Sequence, residues 1–173
     1  MEDWKRVIFT DEARINRFNS DDCIWCWKKD NEEIKPRHTK KTRKHRDDRI
    51  MIWNTISWSG VGWLCKIEGN MNSELYKTIV DDDLEKSIDD MCQKLKLRRN
   101  QVILQQDNDS KHTSKLMKKH FETKEYRVMS WPAQSTDLNS IENMCRLLKI
   151  RLNEYDTPPE GMNDIWKRTQ EIW

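Results

Sequence analysis

Apolar positions along this chain follow two rhythms. Residues 6–10, 50–58, 61–67 and 101–106 are short β-rich runs. They are continuous or alternating, as strands buried on two faces or one require. Ser59-Gly60 suits a tight turn between the second and third of these runs. Residues 24–27 are a further strand candidate. After Asn72 the spacing changes: Leu75, Ile79, Leu84, Ile88, Met91 and Leu95 recur at helical intervals, with Asp82 and Asp83 off that stripe. Residues 113–121 predict a second helix with Leu116, Met117, His120 and Phe121 on one side. Residues 126–131 predict a strand stopped by Pro132. Residues 140–152 then carry Ile141, Met144, Cys145, Leu148 and Leu152 on one helical face. Pro159 opens a last helix with Met162, Ile165, Trp166 and Ile172 together. Antiparallel strands followed by helix, strand, helix, strand and helix read as an α/β chain with a mixed sheet flanked by helices.

Composition sharpens this picture in three ways. At 173 residues the chain suits a single domain able to bury a core. Hydrophobic content is only 35% against 36% charged, but nine Trp supply large buried areas. The net charge of +2 hides a segregation: eight Lys/Arg lie within residues 35–49, while residues 81–83, 89 and 90 are all Asp. Residues 28–48 show neither rhythm and read as one long basic loop, the usual footprint of a phosphate partner or else a solvated segment. No apolar stretch reaches membrane-span length, and no signal-peptide pattern opens the chain, so an intracellular protein without a membrane partner is expected. Five cysteines, an odd number, fit reduced thiols. Cys23 and Cys26 form a lone CxxC without the further ligands that structural zinc needs.

Three acids stand out by position. Asp11 closes the first apolar run, Asp107 closes the run ending Gln105-Gln106, and Glu142 follows after 34 intervening residues. Three carboxylates gathered at one sheet edge commonly hold two divalent cations for phosphoryl transfer. A plainer explanation exists. The chain has 30 acidic residues, and Asn139 can cap the following helix with Glu142 three residues later, as in a capping box. Among the neighbours, Glu12 should point to the opposite face of the strand from Asp11. Asp109 and Asp137 fall in loops and read as solvated or capping acids.

The wording around the acids resembles the catalytic domain of mariner/Tc-type DDE transposases. It comprises Trp4-x-x-Val7-Ile8-Phe9-Thr10-Asp11-Glu12; Ile50-Met51-Ile52-Trp53 with Ser57-Trp58-Ser59-Gly60; Ile67-Glu68-Gly69-Asn70-Met71-Asn72; Gln105-Gln106-Asp107-Asn108 with His112; and Trp131-Pro132-Ala133-Gln134-Ser135 through Asp137-Leu138-Asn139 to Ile141-Glu142-Asn143. The order of five words makes the resemblance specific over nearly the whole chain. Departures are Thr136 and Ser140 where the family mostly has prolines, Cys145 where it mostly has Trp, and Lys44-His45-Arg46-Asp47-Asp48 in place of a Gly/Ser-rich stretch.

The resemblance implies an RNase H-like mixed five-stranded sheet flanked by helices, forming one domain over residues 1–173 with the basic loop 28–48 inserted. It implies that Asp11, Asp107 and Glu142 are catalytic and bind two Mg2+ or Mn2+ ions, with Asp11 bridging both. The implied reaction is hydrolysis at transposon ends, followed by attack of the 3′-hydroxyl on target DNA, typically at TA. The loop corresponds to a clamp reaching DNA and a partner subunit, which assigns Lys35, Arg37, Lys40, Lys41, Arg43, Lys44 and Arg46 to DNA and implies a homodimer in the nucleus. His112 could touch DNA, order the site, or merely open a helix. The family's N-terminal helix-turn-helix region is expected to be absent, which leaves little sequence specificity. A non-catalytic DNA- or protein-binding descendant and a different RNase H-like nuclease are the alternatives. Asn at position 107 is expected to abolish cleavage and to relieve carboxylate repulsion.

Overall fold

The computed structural model describes residues 3–17, 32–33, 49–133 and 135–173. The strand candidate at 24–27, the Cys23/Cys26 pair and the cations from Lys35 to Arg46 lie outside the described residues. Among those described, β1 (Val7–Asn16), β2 (Arg49–Ser57), β3 (Gly60–Ile67), β4 (Ile103–Gln105) and β5 (Arg127–Val128) form one sheet in the order β3-β2-β1-β4-β5. The β1–β2 and β2–β3 pairs are antiparallel; β1–β4 and β4–β5 are parallel. Helices α1 (Ser73–Ile79), α2 (Glu85–Leu95), α3 (Lys115–Phe121), α4 (Ser140–Asn153) and α5 (Met162–Ile172) cover the two faces.

Alternation along the strands splits the core in two. Ile8, Trp53 and Leu104 meet Tyr76, Ile88 and Met117 on one face. Val7, Phe9, Ile52 and Ile103 meet Ile141, Leu148 and Ile165 on the other. β1 runs six residues past the predicted stop at Thr10. Its outer half keeps the period of two, with Ala13 and Ile15 buried and Arg14 exposed, so it pairs with β2 through Asn16↔Arg49. Asp11 therefore sits inside an antiparallel ladder, not at the end of a strand.

The helical stripe contains its own irregularity. Ile79 and Leu84 are five residues apart, one more than an α-helical turn allows. The chain answers with a π-helical turn, Val80–Leu84, between α1 and α2. The wider turn keeps Ile79, Val80 and Leu84 all buried while Asp82 stays exposed. Ser87, one turn on, donates to the Asp83 carbonyl at 2.8 Å and accepts the Trp63 amide at 2.9 Å. This ties the rod to an irregular step in the β2–β3 pairing beside Thr55. Gly62 is required there, because a Cβ would run into Thr55 Oγ1.

One helix and one strand prediction need correction. Leu116 is exposed, whereas Met117, most of His120 and part of Phe121 turn inward as expected. β5 is two residues long where six were expected, although the Met129 amide still bonds the Leu104 carbonyl at 2.8 Å.

Candidate active site

The parallel pairing of β1 with β4 ends at Phe9↔Gln105. Asp11 and Asp107 each lie two residues beyond that last pair. Backbone topology alone thus brings both acids out at the same point, where the two strands part.

Asp11 projects to the face covered by α4. Its Oδ2 accepts the Asn139 amide at 3.0 Å, and its Oδ1 accepts the Glu12 backbone N–H at 2.7 Å. Asn139 is also the N-cap of α4, its Oδ1 taking the Ile141 N–H at 3.4 Å. One side chain therefore fixes the start of α4 relative to β1. Glu142 rides in the first helical turn, where the N-terminal end of the helix favours negative charge. Burial, then the charge of Glu142, push the Asp11 carboxyl up to about 7; Glu12 and Asp107 add to this, and the Glu12 amide opposes it.

Asp107 is the other kind of acid. It is half-exposed, and its Oδ1 meets His112 Nδ1 at 2.6 Å and the Asp109 N–H at 3.0 Å. The His112 hydrogen bond holds the carboxyl below its usual range against a smaller cost of burial. His112 is buried on the turn before α3, with its ring 4.1 Å from that of Tyr76. Its Nε2 lies 3.0 Å from Glu12 Oε1. Burial opposes the imidazolium, but Asp107 and Glu12 overcome it and raise its pKa to about 9. Lys111 Nζ, 3.4 Å from Glu12 and 2.5 Å from Asp109, closes this group of alternating charges. Tyr76 donates to Gln106 Oε1 at 2.6 Å, which steadies the residue before Asp107.

The structure thus brings Glu142 and Asp107 within electrostatic reach of Asp11, with Asp107 the weaker influence of the two. Among the described residues, no group of three or more His, Cys, Asp or Glu is gathered closely enough to hold a metal ion. Glu12 lies on the face of β1 opposite Asp11, as alternation predicts, and Asp109 serves its own turn by accepting the Lys111 N–H at 3.0 Å. Both ring nitrogens of His112 face carboxylates, Asp107 and Glu12, in a buried position. Sequence reasoning found Asn139 as a cap but not as the partner of Asp11. Nothing local in the chain could pair Glu12 with a histidine 100 residues away.

The family described as a DDE superfamily endonuclease matches residues 6–160. The Tcb2 transposase of Caenorhabditis briggsae is 28% identical over 171 residues, covering 96% of this chain and 60% of that protein. The Tcb1 transposase of the same organism is 32% identical over 150 residues, covering 87% and 53%. The chain therefore spans between half and two thirds of these relatives' own length. Among solved structures, the Mos1 transposase paired-end complex with left transposon end superposes with a TM-score of 0.69 at 19% identity, covering 98% of this chain and 48% of that chain. This likeness identifies the five-stranded mixed sheet as RNase H-like.

Proposed function

Because the chain belongs to the DDE superfamily endonuclease family, we propose that it is the catalytic part of a DNA transposase. It hydrolyses phosphodiesters at transposon ends and joins the resulting 3′-hydroxyl to target DNA at TA. The observation that carries this reading is the placement of three acids within the matched residues 6–160: Asp11 and Asp107 each two residues beyond the last β1–β4 pair, and Glu142 in the first turn of α4. Crowded carboxylates of this kind are hard oxygen donors that a divalent cation would relieve. Carboxylate oxygens are the donors that Mg2+ or Mn2+ prefers, the metals with which Mos1 structures are described, and the three side chains would draw closer than they stand here to hold them. Asp11, Asp107 and Glu142 would hold them, two per site. The chemistry such ions would supply there is activation of the attacking oxygen and stabilisation of the leaving one.

The chain's own residues prepare that chemistry. Asn139 holds Asp11 Oδ2 and the start of α4 together, so Asp11 and Glu142 keep a fixed relation. His112 engages Oδ1 of Asp107, with the imidazolium held against Glu12 on the far side. Water and the 3′-hydroxyl are equivalent nucleophiles, so one site serves both steps. Lys35, Arg37, Lys40, Lys41, Arg43, Lys44 and Arg46 would neutralise DNA phosphates as a clamp, in a homodimer assembled on DNA in the nucleus.

Incubation of this chain with supercoiled plasmid in Mg2+ or Mn2+, and separately with a pre-cut transposon end and target DNA, tests the reading. Metal-dependent nicking and joining are expected, both lost in Asp11→Asn. Absence of nicking with either metal removes the catalytic reading, and nicking without joining reduces it to a nuclease.

A further inference from the structure

A cleft of about 530 Å3 runs from Asp107 along the outer side of the sheet, between α3 and the segment that continues β5. It shares Gln106, Asp107 and His112 with the site described above and extends beyond them. Its inner end is formed by Asp107, Asn108 and Trp131. Lys118 and Phe121 line it from α3, Glu122 from the cap of that helix and Arg127 from β5. Asn108 donates to the Trp131 carbonyl at 2.8 Å, so the aromatic end of the cleft is fastened to the residue next to the acid. Trp131 and Phe121 are half-buried, while Lys118 and Arg127 are exposed. The strand supplies further hydrogen-bonding groups. The amides of Arg127 and Met129 point to β4, bonding Val102 and Leu104. Alternation then turns the peptide groups of Val128 and Ser130 to the outer edge of the sheet.

We propose that this cleft binds one or two unpaired nucleotides adjoining the scissile phosphate, with a base against Trp131 and phosphates at Lys118 and Arg127. The inference rests on the reading of the chain as a DNA-cleaving domain. Size excludes a duplex: a cleft of this volume takes a ligand of drug or nucleotide dimensions, while a double helix is far wider. Chemistry then selects among small occupants. Aromatic faces combined with cations are what single strands use, because stacking accepts any base and the cations follow the backbone. The charged lining includes Lys118 and Arg127 together with Asp107 and Glu122, so phosphates are placed at the two cations and away from the two acids. Position agrees as well. An unpaired nucleotide bound here starts at Asp107, so the cleft would keep the strand ends apart after cleavage.

Binding of this chain to a blunt duplex is compared with binding to the same duplex carrying a short single-stranded tail at the cleavage point. Tail sugars with and without bases form the second comparison. The tail is expected to improve affinity roughly tenfold, and removal of its bases to erase most of that gain. The double variant Lys118→Ala/Arg127→Ala alters only exposed side chains. It should lose the tail preference and flatten the salt slope for the tailed probe by about 1.4 units, two phosphates at about 0.7 each. Equal affinity for blunt and tailed probes in the wild type, or an unchanged tail preference in the variant, overturns the inference. Metal-dependent nicking is read in the same samples. Tail preference without nicking upholds the cleft while removing the catalytic reading; nicking without tail preference does the reverse.

Discussion

Asp11→Asn should make the metal-free protein more stable at neutral pH while destroying activity. In the folded chain this carboxyl keeps its proton to about pH 7, whereas its ordinary value is 3.8. Below pH 4 both folded and unfolded states are protonated, and the group contributes nothing. As pH rises from 4 to 7 the unfolded chain releases the proton and the folded one does not, so stability falls; above 7 the deficit is constant. A shift of about three units at 1.36 kcal/mol each sets a ceiling near 4 kcal/mol. The amide has a single acceptor oxygen where Asp11 offers two, one to Asn139 and one to the Glu12 amide. Losing one of these hydrogen bonds costs about 1 kcal/mol. The expected net gain near pH 8 is about 1–3 kcal/mol, or roughly 2–4 °C in Tm for each kcal/mol in a chain of this size. Near pH 4 the variant should instead be slightly less stable. Urea denaturation in EDTA at about pH 4.5, 6 and 8 measures the difference. Equal stability near pH 8, or a gain that does not grow with pH, would refute the assignment of a carboxyl raised by burial and neighbouring charge to this position.

Asp107→Asn should also abolish nicking but lower stability, by about 1 kcal/mol after allowance for solvent screening, because it breaks the bond to His112; a stabilised variant in the same urea assay would contradict this. His112→Gln should remove a pH dependence. The raised imidazole stabilises the fold fully below about pH 6.5 and ceases to as pH climbs through about 9, so wild type should lose stability over that window in a series of thermal melts and the variant should not. Asn139→Ala should cost about 1–2 kcal/mol as a lost cap and raise KM for the metal cofactor, which a metal titration of nicking would read. Replacing Lys40, Lys41, Arg43 and Lys44 with Ala should weaken binding to all DNA sequences alike and flatten the salt slope by up to about four units; parallel slopes in a binding titration would withdraw the clamp.

Much of this arrangement was legible in the chain. The turn at Ser59-Gly60, the cap at Asn139 and the stripe from Leu75 to Leu95 all follow from local rules, because each is decided by neighbours in sequence. Asp11 and Asp107 were found by their positions after apolar runs, although Asp11 proved to lie within a strand whose outer half is half polar. What was not legible depends on partners far apart. Relief of repulsion was expected on replacing Asp107, but the repulsion resides at Asp11. The reason is that His112, held over Glu12 by the packing of Tyr76, neutralises Asp107. The cleft beside Trp131 likewise comes from β5 ending early, which no propensity along residues 126–131 announces.

The π-helical turn at Val80–Leu84 has a consequence for how this chain can change length. Helix interiors ordinarily forbid the loss of a residue, since everything beyond it rotates by about 100 degrees. Here one residue is already in surplus. Deleting Asp82, whose side chain is exposed and pairs along the helix with Lys86, would close the five-residue step to four. Leu84, Ile88, Met91 and Leu95 would then follow Ile79 in ordinary α-helical phase. The rod between β3 and β4 is thus a point inside regular secondary structure where an evolutionary insertion or deletion can pass, and where an alignment gap between relatives is expected to fall within a helix rather than a loop.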